Sequence, residues 1–362
     1  MGHPNPSGDL ITGTELYDFF RNRGHDINQI SQLRCRWLYL KPWVWGQLVM
    51  EKIRMVKECR RLSPDLWFSY HSYYKAPDML GPALCRRLQI PYVLFQGVYS
   101  TKQRRSLKTL PGFLLNRKAL LSARVVFTNK QVDKLNLLRL LPADRVIYVP
   151  PGIHPGAFSF DSEARQTLRK SWQVGSCPVV MTAAMFRPDV KTEGILEVID
   201  TCSRLIAKGI ELQLVIVGDG STREQLEKAV QEKLPGVVHF TGRISRSEMK
   251  RYYSAADLFA FPGIQESLGM VYLEAQSCGL PVVAFKDWGA SEAVVHERTG
   301  LLASFAQRQT FAENIERLIL DKKLRKKLGQ EAVDHVRKVH DLDKNYGIIE
   351  KKIGELLNPL RP

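Results

Sequence analysis

The chain has 362 residues, 44% of them apolar, and carries 53 Lys and Arg against 37 Asp and Glu, a net charge of +16. That length suits two domains of ordinary size with proper cores. No apolar run approaches the roughly 20 residues of a membrane span, and the opening MGHPNPSGDL lacks the apolar segment of a signal peptide. Six scattered cysteines without a Cys-x-x-Cys pair read as reduced thiols of a cytoplasmic protein. The charge is one-sided: residues 1–155 hold 24 basic and 10 acidic residues, net +14, whereas the remainder holds 29 and 27. A basic half of this kind points to nucleic acid, an anionic membrane or an acidic substrate.

Taken in order, residues 5–8 form a loop, and Asp9 or Thr12 can cap a helix through Leu16, Phe19 and Phe20 that ends at Arg23-Gly24-His25. Residues 37–47, WLYLKPWVWGQ, are rich in aromatics and suit a core, an acceptor-side surface or a membrane interface. A helix from Gln47 to Cys59 follows. Pro64 to Tyr70 reads as a strand with His71 at its end, and Pro91 to Phe95 as another, ending at Gln96-Gly97. His71 is a candidate to touch substrate, the alternative being a structural hydrogen-bonding role. Residues 102–124 interleave Lys102, Arg104, Arg105, Lys108, Arg117, Lys118 and Arg124 with leucines and Phe113, an interfacial pattern in which Phe113, Leu114 and Leu115 are expected to insert. Val125 to Thr128 is a strand and Asp133 to Leu141 a helix. After Pro178 to Ala184, an apolar strand, comes a loop with Arg187 and Lys191. Strands at Leu212–Val217 and Val237–Thr241 are followed by Gly218-Asp219-Gly220 and Gly242-Arg243-Ile244.

The chemistry concentrates in residues 261–302. Phe259 to Pro262 ends a strand, Met270 to Cys278 is a helix, Gly279 and Pro281 stop it, and Val282 to Phe285 is a buried parallel strand. Glu266 therefore lies at the carboxyl end of a strand, where ligands bind in open α/β sheets. Ser267, Leu268 and Gly269 would present backbone N–H groups to a phosphate. Glu274, on the same helix, can accept hydrogen bonds from the vicinal hydroxyls of a ribose. Residues 310–339 and 343–357 read as charged and amphipathic helices.

The stretch Glu-x7-Glu with Gly269, then Glu-Ala, Gly-x-Pro-Val-Val-Ala, Glu292 and Thr-Gly-Leu-Leu resembles the family 4 glycosyltransferases, retaining enzymes of GT-B architecture, and the resemblance extends more weakly over nearly the whole chain. It implies an α/β fold of two Rossmann-like domains facing across a cleft. The expected divisions are residues 1–157 for the acceptor, 158–340 for the nucleotide-sugar, and 341–362 as a helix crossing back to the N-terminal domain. It assigns Arg187 and Lys191 to the donor diphosphate, Gly218 to a shaped turn, Arg243 and Ile244 to the base, and Gly8 to the phosphate side. Family members usually begin with a further strand, so the chain is expected to be truncated at its start or to lack that strand. Where relatives often carry a His after the second strand, this chain has Gln96.

The expected activity is metal-independent, retaining transfer of a sugar from a nucleotide-sugar to a glycan, lipid-linked or lipopolysaccharide-type acceptor. Arg187, Lys191, Glu266 and His71 are the catalytic candidates, with no metal and no cofactor. The expected place is cytoplasmic, at the inner face of an anionic membrane. A sugar-nucleotide epimerase and a non-catalytic basic protein binding membranes or nucleic acid are the alternatives. Nucleic acid is disfavoured because no stacking aromatic motif or basic recognition helix is present.

Overall fold

The computed structural model describes residues 8–33 and 35–358, in two compact units, Met1–Pro150 with Lys344–Pro362, and Pro151–Asp343. In the first unit the strands β1 (Trp67–Ser72), β2 (Tyr92–Gly97), β3 (Val125–Thr128) and β4 (Val146–Tyr148) form one sheet in the order 1-2-3-4, every pair parallel. β2 and β3 are buried along their whole length. Their unbroken apolar runs are what a parallel sheet covered on both faces requires. Tyr92, Leu94 and Val126 pack with Phe113, Leu120 and Leu137 from the surrounding helices.

The helix Gly8–Asn22 buries Leu16, Phe19 and Phe20. Thr12 does not cap it: this residue is already inside the helix and buried, because the helix begins at Gly8. The expectation of a missing first strand concerns residues 1–7, which lie outside the described residues. The last helix, Leu342–Leu357, packs its Tyr346 ring edge-on against Phe19 at 5.6 Å, and its Glu350 pairs with Arg23 at 2.7 Å. The expected membrane insertion of Phe113 fails. The helix Leu110–Ser122 turns that ring into the core against Tyr99 and leaves Leu114 outside.

The second unit carries β5 (Val179–Ala183), β6 (Gln213–Val217), β7 (Val238–Gly242), β8 (Leu258–Ala260), β9 (Val282–Phe285) and β10 (Gly300–Ala303). They form a parallel sheet in the order 10-9-8-5-6-7. The chain thus builds β5, β6 and β7 outward on one side, then returns to place β8 on the other side of β5. β10 has no counterpart in the sequence reading, since its Gly-Leu-Leu-Ala is too short to show a period. Residues 310–339 are two helices, Arg308–Leu320 and Lys322–Val339, divided at Asp321, whose side chain caps the second by accepting from Leu324 N. Among the described residues no helix is long and apolar enough to cross a membrane.

Candidate active site

The reversal of strand order between β5 and β8 is a topological switch point, and loops leaving neighbouring strands there diverge to leave room for a ligand. Two sequence candidates meet at this point. Lys191 follows β5 and Glu266 follows β8, and their side chains form an ion pair, Lys191 Nζ to Glu266 Oε2. Each is about one-fifth exposed, so the pair is shielded yet reachable from solvent. Lys191 Nζ also stands 5.1 Å over the Phe261 ring, on the face where the π-cloud is negative.

Local sequence explains both positions. Asp189 caps the helix Val190–Ala207 by accepting from Lys191 N, which fixes Lys191 in the first turn. Thr192, one residue on, contacts the Arg187 carbonyl and meets Thr222 Oγ1 at 2.6 Å, tying the β5 loop to the loop after β6. Gly218 in that second loop has φ +141°, and a Cβ there would stand 1.9 Å from the Ala184 carbonyl oxygen. Close packing of the two loops therefore requires glycine. Gly218 N donates to Gly242 O, carrying the connection on to the loop of Arg243 and Ile244. Arg243 is exposed and Ile244 packs on the core.

On the β8 side, Gly269 has φ +65° and precedes the helix Met270–Ser277. A Cβ there would lie 2.4 Å from the Tyr272 ring and 3.2 Å from Glu266 Cγ. Glu266 N donates to Gly263 O, Ser267 N to the Glu266 carboxylate at 3.2 Å, and Gly289 N to Glu266 O. Burial and the nearby Glu266 charge push the Tyr272 hydroxyl far above its ordinary pKa, so it stays neutral and donates to Phe261 O. These contacts hold the Glu266 loop from three sides. Leu268 is half-buried in the same loop, next to Gly269.

Glu274 is 5% exposed on the same helix. Arg246 Nε donates to its Oε1 at 2.8 Å and Tyr253 OH to its Oε2 at 3.3 Å. Arg246 itself lies with its guanidinium 5.5 Å over Phe158. Burial and the Glu274 charge push the Tyr253 hydroxyl far up, so it too remains a neutral donor. Arg246 and Tyr253 escaped the sequence reading, because they lie 28 and 21 residues from Glu274 with no recurrent spacing. Arg187, in the loop after β5, has its Nη2 beside Met185 Sδ at 3.2 Å. Among the described residues no group of three or more His, Cys, Asp or Glu is arranged to hold a metal ion.

Gly8 and His71 belong to the other unit. Gly8 is the first residue of its helix. His71, the last residue but one of β1, has φ +63°, and its ring stacks on Tyr73 with centroids 4.7 Å apart. Gln96, beside it on β2, has φ +54° and is buried. Two adjacent non-glycine residues in the left-handed region cost of order 1–3 kcal/mol each, a strain that clusters at ligand sites.

Comparison with known proteins fits this geometry. Residues 178–335 match the family model described as glycosyl transferases group 1. This segment belongs to that family. A GDP-mannose-dependent alpha-(1-6)-phosphatidylinositol monomannoside mannosyltransferase of Mycobacterium tuberculosis is 32% identical over 189 residues, covering 50% of this chain and 48% of the relative. A D-inositol 3-phosphate glycosyltransferase of Jonesia denitrificans is 27% identical over 75% of this chain and 68% of its own length. The chain spans about half the length of the first of these relatives. Among solved structures, Anabaena Alr3699/HepE in complex with UDP and glucose superposes with a TM-score of 0.72 at 21% identity, covering 98% of both chains. WaaG, a glycosyltransferase involved in lipopolysaccharide biosynthesis, gives 0.66 at 16% identity over 95% and 96%. The α/β fold of two parallel-sheet units is the GT-B architecture these structures share.

Proposed function

We propose that the chain is a retaining glycosyltransferase whose Pro151–Asp343 unit holds a nucleotide-sugar. The observation that carries the reading is the Lys191–Glu266 pair at the switch point between β5 and β8. A nucleotide-sugar brings both a diphosphate and a ring of hydroxyls to one place. Lys191 exchanges its carboxylate partner for the diphosphate, and Glu266, freed, accepts hydrogen bonds from the sugar. Arg187 adds a second cation, and Arg243 and Ile244 face the base. Glu274, paired with Arg246, accepts from the ribose.

In the transfer step the acceptor oxygen bonds to the anomeric carbon as the bond from that carbon to the leaving phosphate oxygen breaks. The acceptor proton passes to that phosphate oxygen on the same face, so configuration is kept without an enzyme nucleophile. Charge gathers on the leaving diphosphate, and preorganised cations stabilise it more in the transition state than in the ground state. No metal is needed in this scheme.

The Met1–Pro150 unit is assigned to the acceptor, with His71 and Gly8 on its ligand side. Its excess of positive charge fits a phosphorylated glycan, a lipid-linked sugar or a lipopolysaccharide-type acceptor, and attachment to an anionic membrane at its inner face. The relatives support this: their names include phosphatidylinositol monomannoside and D-inositol 3-phosphate. Because relatives and neighbours name GDP-mannose and UDP-glucose, the donor is settled by a thermal-shift screen over nucleotide-sugars, in which the true donor raises Tm by mass action.

The deciding test is Glu266→Gln with that donor saturating. Transfer is abolished while the melting temperature holds, and wild-type activity is insensitive to EDTA. Near-full activity of the variant overturns the site, and product epimerised without transfer identifies an epimerase.

A further inference from the structure

The helix Trp45–Leu62 presents an apolar face to solvent. Its inner side, Leu48, Met55 and Cys59, packs with Leu38, Leu80 and Leu84 in a small core. Its outer side carries Trp45, 51% exposed, Val49, 55%, Met50, 67%, and Ile53, 49%, and Trp43 just before it is 75% exposed. Trp45, Val49, Ile53 and Lys57 recur every four residues, so they share one stripe, which Arg60 continues. The acids of this helix, Glu51 and Glu58, are off the stripe and paired with Arg54 and Arg61 at 2.7 and 2.9 Å. The face is thus apolar and aromatic at one end, cationic at the other, and free of carboxylates.

A second basic surface adjoins it. Lys108 Nζ lies 5.7 Å over the Trp37 ring, and a Cβ on Gly112 would come within 2.3 Å of Tyr39 Oη. Lys108 and Gly112 therefore lie against residues 37–39, directly upstream of Trp43, and Lys102, Arg104, Arg105 and Leu107 precede Lys108 in the chain. Leu107 is 89% and Leu114 53% exposed.

A soluble partner protein would meet an apolar stripe with a rim of either charge. Here every charge on the stripe is positive and the aromatic residues are tryptophans, which favour the headgroup level of a bilayer. We propose that the helix Trp45–Leu62 lies in the plane of an anionic membrane, with Trp43, Trp45, Val49, Met50 and Ile53 inserted and Lys57, Arg60 and the 102–108 cations on the headgroups. This rests on the membrane attachment proposed above and adds to it a specific inserted element. Charge alone gives reversible attachment. Insertion adds a component that salt does not remove.

The test uses the full chain with vesicles of phosphatidylglycerol and phosphatidylcholine brominated on the acyl chains. Wild type pellets with anionic vesicles, keeps a bound fraction in high salt, and shows quenched tryptophan emission. Trp43→Phe with Trp45→Phe removes the quenching while pelleting persists. Val49→Gln with Ile53→Gln weakens binding roughly tenfold or more, with the melting temperature and donor hydrolysis unchanged. Pelleting without quenching, fully reversed by salt, overturns the inserted helix and leaves electrostatic attachment standing. Absence of pelleting at low salt overturns both. A concentration-dependent dimer that Val49→Gln with Ile53→Gln dissolves shows a second copy as the occupant and overturns the membrane assignment.

Discussion

Glu266 and Glu274 sit on one short helix-and-loop unit and are held in opposite ways. Glu266 is bound by a lysine that a diphosphate can draw away, whereas Glu274 is buried with both oxygens engaged by Arg246 and Tyr253. The first is suited to change partner during turnover, the second to stay fixed. Glu274→Gln is therefore expected to raise the donor KM by tenfold or so with kcat little changed, because one uniformly used hydrogen-bonding group is weakened. An unchanged donor KM in steady-state kinetics removes the ribose role. Arg187→Ala and Lys191→Ala are expected to lower kcat by roughly 10²-fold each, as loss of a preorganised charge on a leaving group does. A change confined to KM would make them binding residues only. The glutamates were legible because their spacing and the strand end before them are local facts. Arg246 was not, because its contact with Glu274 exists only once the segment that follows β7 has folded against the helix that follows β8.

At the scale of elements, strands were read well wherever apolar runs are flanked by turn residues; Val125–Thr128 and Val282–Phe285 match residue for residue. The reading failed where a boundary depends on a side chain's partner. Asp321 ends one helix and caps the next, and nothing in its neighbours distinguishes it from other solvated acids of that stretch. Asp257 is a similar case with larger consequences. Its carboxylate takes Arg165 at 2.8 Å, Arg169 at 2.9 Å and Val179 N at 2.9 Å, fastening the helix Ser162–Ser171 to the start of β5. Burial alone would raise its pKa, but the two arginines and the N–H hold it below the ordinary carboxylate value. With the folded value lower than the unfolded one, its stabilisation is present above the unfolded pKa and is lost as pH falls through the folded one. Asp257→Asn is expected to cost roughly 3 kcal/mol at neutral pH, since it leaves two partly buried guanidiniums without their anion. It is also expected to flatten the acid limb of stability below about pH 4. Urea unfolding at a series of pH values checks both, and a loss under 1 kcal/mol would show the arginines are satisfied by their carbonyl partners alone.

Across the whole molecule, the division of charge and the strand–helix alternation of both halves were readable in advance, because each sums over many residues. The resemblance also gave two passages between units, near 158 and 341, but not that the stretches beside them pair. There Ile153 N donates to His340 O and Leu342 N to Ile153 O, so residues near 150 and near 340 run side by side although almost two hundred positions separate them. His340 is buried at this neck, with Nδ1 2.7 Å from Pro151 O. Burial is the main cause that brings its pKa down from 6.5 to about 4, with His335 opposing protonation as well and the Pro151 carbonyl resisting the shift. The neutral ring donates from Nδ1 to that carbonyl. A depressed folded pKa means that between pH 6.5 and 4 the unfolded chain takes up a proton the folded chain refuses. Stability therefore falls as pH drops through that window, by about 3 kcal/mol over the full interval. His340→Gln keeps a donor for Pro151 and removes the titration. The variant is expected to be less stable than wild type at pH 7.5 and to lose correspondingly less on acidification to pH 4.5. Unfolding followed by the emission of Trp172 and Trp288, both in the Pro151–Asp343 unit, measures it. Parallel pH profiles for wild type and variant would show that His340 protonates freely in the folded chain and that the neck does not depend on its neutrality.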